Sequence, residues 1–128
     1  ELTSQNTLAE VGLGHFIGKH KTDYIGAKAL ARNAGSEQVK LVTLEVFCSD
    51  ANVEPAKNQA VRSGERIIAL TTSGAYGHYL RKYLAMAIVP TEFSSEGTQL
   101  TVEILDQRHS AIVIADSPHD PENLRPRW

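Results

Sequence analysis

A chain of 128 residues with a formal charge of −2 carries no global electrostatic drive toward nucleic acid or an anionic membrane surface. Its 41% hydrophobic content is that of a globular chain with a core of its own, and no apolar run reaches the roughly 18–20 residues that a membrane span requires. The one cysteine, Cys48, excludes an internal disulfide and suits a reducing compartment. The first residue is Glu1 rather than Met, so the chain is expected to be a piece of something longer.

Residues 1–21 begin with polar punctuation (Thr3, Ser4, Gln5, Asn6) and continue as Val11-Gly-Leu-Gly-His-Phe-Ile-Gly18. Each glycine costs a helix about 1 kcal/mol relative to alanine, so an extended, partly buried connector is expected there. Thr22 or Asp23 is placed to cap a short helix over residues 25–33, with Ile25, Ala29 and Leu30 on one face and Lys28 and Arg32 turned outward. Gly35 would end it. From Val39 the period changes to two, and both faces of residues 39–47 carry apolar side chains, as in a strand closing a small barrel.

Residues 49–57 read as loop. Ala60-Val61 and residues 66–72 read as a hairpin around Ser63-Gly64-Glu65. Two apolar runs, 67–70 and 83–89, flank a corner in which Ser73, Gly74 and Gly77 supply the freedom for a sharp reversal. Residues 91–97 form a polar loop. Residues 100–105 and 110–115 make a second hairpin around Asp106-Gln-Arg108, and the tail from Pro118 has no period. The expected fold is mainly β, a small six-stranded antiparallel (Greek-key-like) barrel preceded by a short helical connector. Residues 1–36 are the connector and helix, and 37–128 the barrel.

The residues themselves offer little chemistry. His15, His20 and His119 are scattered, and a zinc site needs four convergent ligands. Gly12, Gly14 and Gly18 miss the dinucleotide-binding spacing, because Ile17 stands where the third glycine belongs. Thr72-Ser73-Gly74 lacks the flanking glycine pattern of a nucleophile elbow. Arg62, Arg66, Arg81 and Lys82, interleaved with Tyr76, Tyr79 and Tyr83, could form a stacking surface for nucleic acid. In a mildly acidic chain they read as outward charges on strands. Cys48 reads as a small buried hydrophobe. No catalytic constellation emerges.

Three stretches carry a resemblance. Glu1-Leu-Thr, Leu8-Ala-Glu-Val-Gly-Leu-Gly14 and Lys21-Thr-Asp-Tyr-Ile-Gly-Ala-Lys-Ala-Leu30 form the first. Leu70-Thr-Thr-Ser-Gly-Ala-Tyr-Gly-His78 with Ala85-Met-Ala-Ile-Val89 is the second, and Gly97-Thr-Gln-Leu-Thr-Val-Glu-Ile104 ending at His119-Asp-Pro-Glu-Asn123 the third. In order and spacing they resemble the C-terminal part of the glycine-cleavage T-protein (aminomethyltransferase) family. The Ser-Gly-Ala-Tyr-Gly-His form and the Asp-Pro-Glu-Asn-Leu-Arg tail are most similar to the folate module of dimethylglycine and sarcosine dehydrogenases. A relative that supports iron–sulfur clusters carries a cysteine where Asp23 stands here, and a Gln-Glu pair in place of Ala27-Lys28, which separates this chain from that subgroup.

The resemblance implies one-carbon transfer to tetrahydrofolate, with FAD on an upstream domain of a dehydrogenase-type parent. The family's catalytic aspartate falls upstream of Glu1, so the isolated chain is expected to have little or no catalysis. Lys19 or Lys21, and Arg125 or Arg127, stand where family members place basic residues against folate. The implied partners are the upstream folate-binding and FAD domains of the same polypeptide, with neither nucleic acid nor membrane. The compartment would be the bacterial cytoplasm or the mitochondrial matrix. The competing class is a non-catalytic barrel that packs against a partner domain or subunit, through exposed apolar surface at residues 11–17 and Trp128.

Overall fold

Alternating branched apolar residues build the sheet. In the computed structural model, which describes residues 3–18, 21–50 and 52–125, the strands are β1 (Val39–Val46), β2 (Ala60–Ser63), β3 (Arg66–Gly77), β4 (Lys82–Pro90), β5 (Gln99–Ile104) and β6 (Gln107–Ile114). All pair antiparallel and close a barrel in the order β1-β4-β3-β2-β5-β6. Helix α1 (Ala27–Asn33) precedes it. Closure rests on β1, which is bonded on one side to β4 from Val39↔Pro90 to Val46↔Tyr83 and on the other to β6 from Thr43↔Ile114 to Val46↔Ala111.

One residue in two points inward. Leu44, Val61, Ala87, Val89 and Val102 are wholly removed from solvent, and Val46, Ile104 and Val113 nearly so. Each such Val, Leu or Ile side chain contributes roughly 1.5–3 kcal/mol of transfer free energy. They fill the interior, so the barrel is a packed core.

Four features depart from the expectation, each for a local reason. The connector is turns and a single 3-10 turn (Gly14–Phe16) rather than extended chain. Thr7 and Glu10 drive this with a reciprocal cap: the Thr7 N–H donates to Glu10 Oε2 at 2.8 Å, and the Glu10 N–H to Thr7 Oγ1 at 3.3 Å. The segment docks on the barrel where the Leu41 N–H donates to the Glu10 carbonyl at 2.7 Å, and Val11 is buried rather than exposed.

Helix α1 starts at Ala27, and its N-cap is Gly26 in the left-handed region (φ +89°), with no side-chain cap from Thr22 or Asp23. Only glycine takes that conformation cheaply. Ile25 therefore falls outside the helix and is fully exposed, and Ala29 is exposed as well.

Strand β3 does not stop at a Ser73–Gly74 corner. It runs to Gly77, absorbing an irregularity between Thr71 and Ser73, and the reversal falls at residues 78–81. There Arg81 takes φ +55° and donates its N–H to the Gly77 carbonyl at 2.7 Å. The second hairpin turns at Leu105 and Asp106, both at positive φ (50° and 61°), which admits β6 from Gln107 onward.

Gly74 has a different duty from making a corner. A Cβ there would sit 2.6 Å from the Pro55 carbonyl carbon and oxygen and 2.9 Å from the Ala56 nitrogen. The loop after β1 crosses β3 at that point and delivers Val53 into the core. Thr71 ties the loop down: its Oγ1 donates to the Ala56 carbonyl at 2.5 Å and accepts the Gln59 N–H at 2.9 Å. Gly74→Ala is expected to lower the unfolding free energy by about 1–3 kcal/mol, the usual cost of forcing extra volume into a packed region, read as a lower urea midpoint. Gly14→Ala, whose added Cβ meets nothing nearer than 4.0 Å, should leave the midpoint in place.

Candidate functional site

The tail after β6 is shaped by one carboxylate. Asp120 sits at φ +52°, and its two oxygens accept the N–H groups of Leu124 (2.9 Å) and Arg125 (3.0 Å), while the Asn123 N–H donates to its carbonyl at 2.8 Å. Those backbone donors, helped by the nearby Arg125 and His119, hold the Asp120 carboxyl below its ordinary pKa. The loop delivers Arg125 to the β3–β4 turn. Its Nη2 donates to the Tyr79 hydroxyl at 2.5 Å, and its guanidinium carbon lies 4.7 Å from the centre of the Tyr79 ring. His119 meets the same ring edge-on at 4.2 Å between centroids.

A second open feature lies on the N-terminal side. Thr7, Ile17, Lys21, Tyr24, Leu30 and Ala31 are among the residues lining a groove of about 680 Å³ between the N-terminal turns and α1. Its lining is mainly apolar, with Lys21 and Lys28 adding positive charge. Phe16, 75% exposed, and the fully exposed Ile25 extend the apolar surface on this side of the chain.

The sequence-derived candidates thus separate. Lys21 belongs to the groove and Arg125 to the Tyr79 cluster, while Lys19 and Arg127 lie outside the described residues, as do His20 and Trp128. Several of the other basic residues are occupied. Arg62 Nε pairs with Glu103 at 2.7 Å, Lys82 with Glu45 at 2.8 Å, and Arg108 grips Glu65 through two bonds of 2.6 and 2.7 Å. The Arg108 guanidinium lowers the Glu65 pKa. Cys48 is half-buried against the core, and burial pushes its thiol up, away from the thiolate form a nucleophile needs. Among the described residues no group of three or more His, Cys, Asp or Glu converges as a metal set would.

What sequence reading missed is the role of Tyr79. It stood among three tyrosines as a general stacking surface, and its partner Arg125 is 46 residues away. The available signal was the pairing of a tyrosine in a turn with a tail held by Asp120, which requires knowing that the tail returns.

Because the Asp120 pKa is depressed in the docked tail, its contribution is complete above the ordinary carboxylate pKa and is lost as pH falls through the lowered value. Acidification below about pH 4 should therefore release the tail while the barrel stays folded, seen as movement of the Tyr79 and His119 ring resonances toward free-peptide values. Asp120→Asn, with one acceptor oxygen in place of two, should show the released signature already at neutral pH.

Comparison with known proteins places the fold and chain. The family model described as the glycine cleavage T-protein C-terminal barrel domain matches residues 40–120. Mitochondrial dimethylglycine dehydrogenase from Homo sapiens is 32% identical over 118 residues, which is 91% of this chain and 13% of that protein. An aminomethyltransferase from Prochlorococcus marinus (strain NATL1A) is 33% identical over 116 residues, 89% of this chain and 30% of its own length. The glycine cleavage system aminomethyltransferase T from Bartonella henselae shares the fold with a TM-score of 0.74 at 23% identity, covering 85% of this chain and 31% of that one. The chain thus spans less than a third of these relatives. It belongs to the glycine cleavage T-protein C-terminal barrel domain family.

Proposed function

We propose that this chain works as the C-terminal module of a tetrahydrofolate-dependent aminomethyltransferase or of a dimethylglycine/sarcosine dehydrogenase-type enzyme. Residues 1–36 serve as the tail of a folate-binding domain, and residues 37–128 as the barrel that closes over it. The observation that carries the reading is Arg125. Among the described residues its guanidinium spends one Nη2 N–H, on Tyr79, so the second Nη2 N–H remains to form a two-donor edge with Nε or Nη1 against a ligand carboxylate. Asp120 spends both oxygens on backbone N–H groups of the tail.

Folate ends in glutamate carboxylates, and arginine engages a carboxylate through two parallel hydrogen bonds. Lys21, exposed on the groove rim, adds a second positive charge for a polyglutamate chain, with Lys19 and Arg127 as further basic positions of the same kind. Bound tetrahydrofolate supplies the nitrogens that accept the one-carbon unit. This chain holds the acidic end, and the catalytic carboxylate lies on the upstream domain. In a dehydrogenase-type parent, FAD on a further upstream domain would supply the oxidising chemistry for the N-methyl amine. An enclosed folate site then limits escape of a reactive iminium or formaldehyde product.

The groove favours a second contribution that does not depend on folate. Apolar surface at Phe16, Ile25 and Leu30 beside an open groove is what a module covered by a neighbouring domain leaves bare when viewed alone. This is the competing reading, a barrel whose work is packing.

The two readings are separated in the polypeptide that carries this chain. Arg125→Ala should weaken tetrahydrofolate binding roughly 10- to 100-fold, the range for losing hydrogen bonds to a charged partner. Lys21→Ala should weaken it less, since a lone exposed charge contributes little. Unchanged folate affinity, with loss of assembly or solubility on Ile25→Asp, would leave the packing reading standing alone.

A further inference from the structure

We infer that Tyr79 is the positioning residue of the Arg125 carboxylate site, holding the guanidinium in the orientation a glutamate tail requires. The inference rests on the folate reading for the identity of the ligand, but its geometry is independent of it.

An exposed arginine on a tail samples many rotamers, and fixing them costs side-chain entropy. Here that ordering is done before any ligand arrives. The Tyr79 hydroxyl accepts from Nη2 at 2.5 Å, which fixes the rotation of the guanidinium plane, while the ring 4.7 Å from the guanidinium carbon supports it from one side. His119, edge-on at 4.2 Å, buttresses the ring, and the Asp120 carboxylate fixes the Arg125 backbone through its N–H at 3.0 Å. Tyr79 alone touches the guanidinium, while His119 acts through the Tyr79 ring and Asp120 through the Arg125 backbone.

Tyr79 itself sits on a turn held open for it. The turn's closing residue, Arg81, takes a left-handed conformation, and Tyr79 is 67% exposed, so its ring is not there to fill the core. An exposed aromatic that orders an exposed arginine while leaving one two-donor edge of its guanidinium unspent is a preorganised anion receptor, and preorganisation raises affinity by removing the ordering cost from the binding step. The ligand class that fits is a flexible carboxylate chain such as the glutamates of a folate.

Tyr79→Phe is the decisive variant, because it keeps the ring under the guanidinium and removes only the acceptor oxygen. Three probes would be titrated against the polypeptide carrying this chain: tetrahydropteroyltriglutamate, tetrahydropteroate (which lacks glutamate) and triglutamate alone. The expected result is a 2- to 10-fold loss for the first probe on Tyr79→Phe, the range for one net hydrogen bond, and no change for tetrahydropteroate. A larger loss is expected on Tyr79→Leu, with Arg125→Lys losing the triglutamate increment in the Tyr79 wild-type background. A role confined to anchoring the tail would shift both folate probes equally or neither, and would overturn the inference. If triglutamate alone binds and weakens on Tyr79→Phe while tetrahydropteroate does not bind, the receptor stands and the folate reading falls. If the triglutamate form outbinds tetrahydropteroate but Tyr79→Phe leaves that ratio unchanged, the folate reading stands and Tyr79 has no part in it.

Discussion

The structure depends on a contact between two stretches of backbone. At Gly74 the Pro55 carbonyl approaches so closely that no side chain fits between them, and the loop joining β1 to β2 crosses β3 there. Everything on either side follows. Because the loop passes over β3, Val53 reaches the core and Thr71 finds the Ala56 carbonyl and the Gln59 N–H as partners for its buried hydroxyl. A buried hydroxyl without those bonds would cost on the order of 1–3 kcal/mol, so the crossing stabilises the loop and satisfies the strand together. Strand β3 is also free to continue to Gly77, and its continuation sets where Tyr79 is displayed.

How far the sequence reveals this depends on whether the determining interaction is local. The barrel was legible because inward and outward positions alternate within each strand: Val42, Leu44 and Val46 declare one face of β1 without reference to any other residue. The Leu105–Asp106 reversal was located to within two residues. The helix was found, but its start was misplaced, since Thr22 and Asp23 match the side-chain preferences of a cap and Gly26 matches the backbone requirement. The Thr7–Glu10 cap was available in the spacing and went unread amid the glycines that follow. Ser73 and Gly74 were read as a corner because a glycine that permits a turn and one that permits a close approach look the same in one dimension.

The site was legible only as a set of charges. Arg125 was singled out by resemblance, with nothing in its own neighbourhood to support it. Its meaning comes from Tyr79, which the fold brings back from the far side of β4 and the β5–β6 hairpin. The same fold pairs Arg62 with Glu103, Lys82 with Glu45 and Arg108 with Glu65, across separations of 41, 37 and 43 residues, so these three cations that look available in the sequence are already matched. Arg125 is distinguished from these by having a neutral partner. A tyrosine orders a cation without neutralising it.

The closed hydrogen-bond ladder also limits how this barrel can be recognised. With β1 bonded to both β4 and β6, the sheet has no terminal strand along which another chain could add itself by main-chain pairing. Whatever meets this domain must do so through side chains and turns, and the connections between strands therefore form its recognition vocabulary. The largely exposed turn at residues 78–81 is open to rewriting, whereas the loop joining β1 to β2 is committed to the core through Val53 and Thr71.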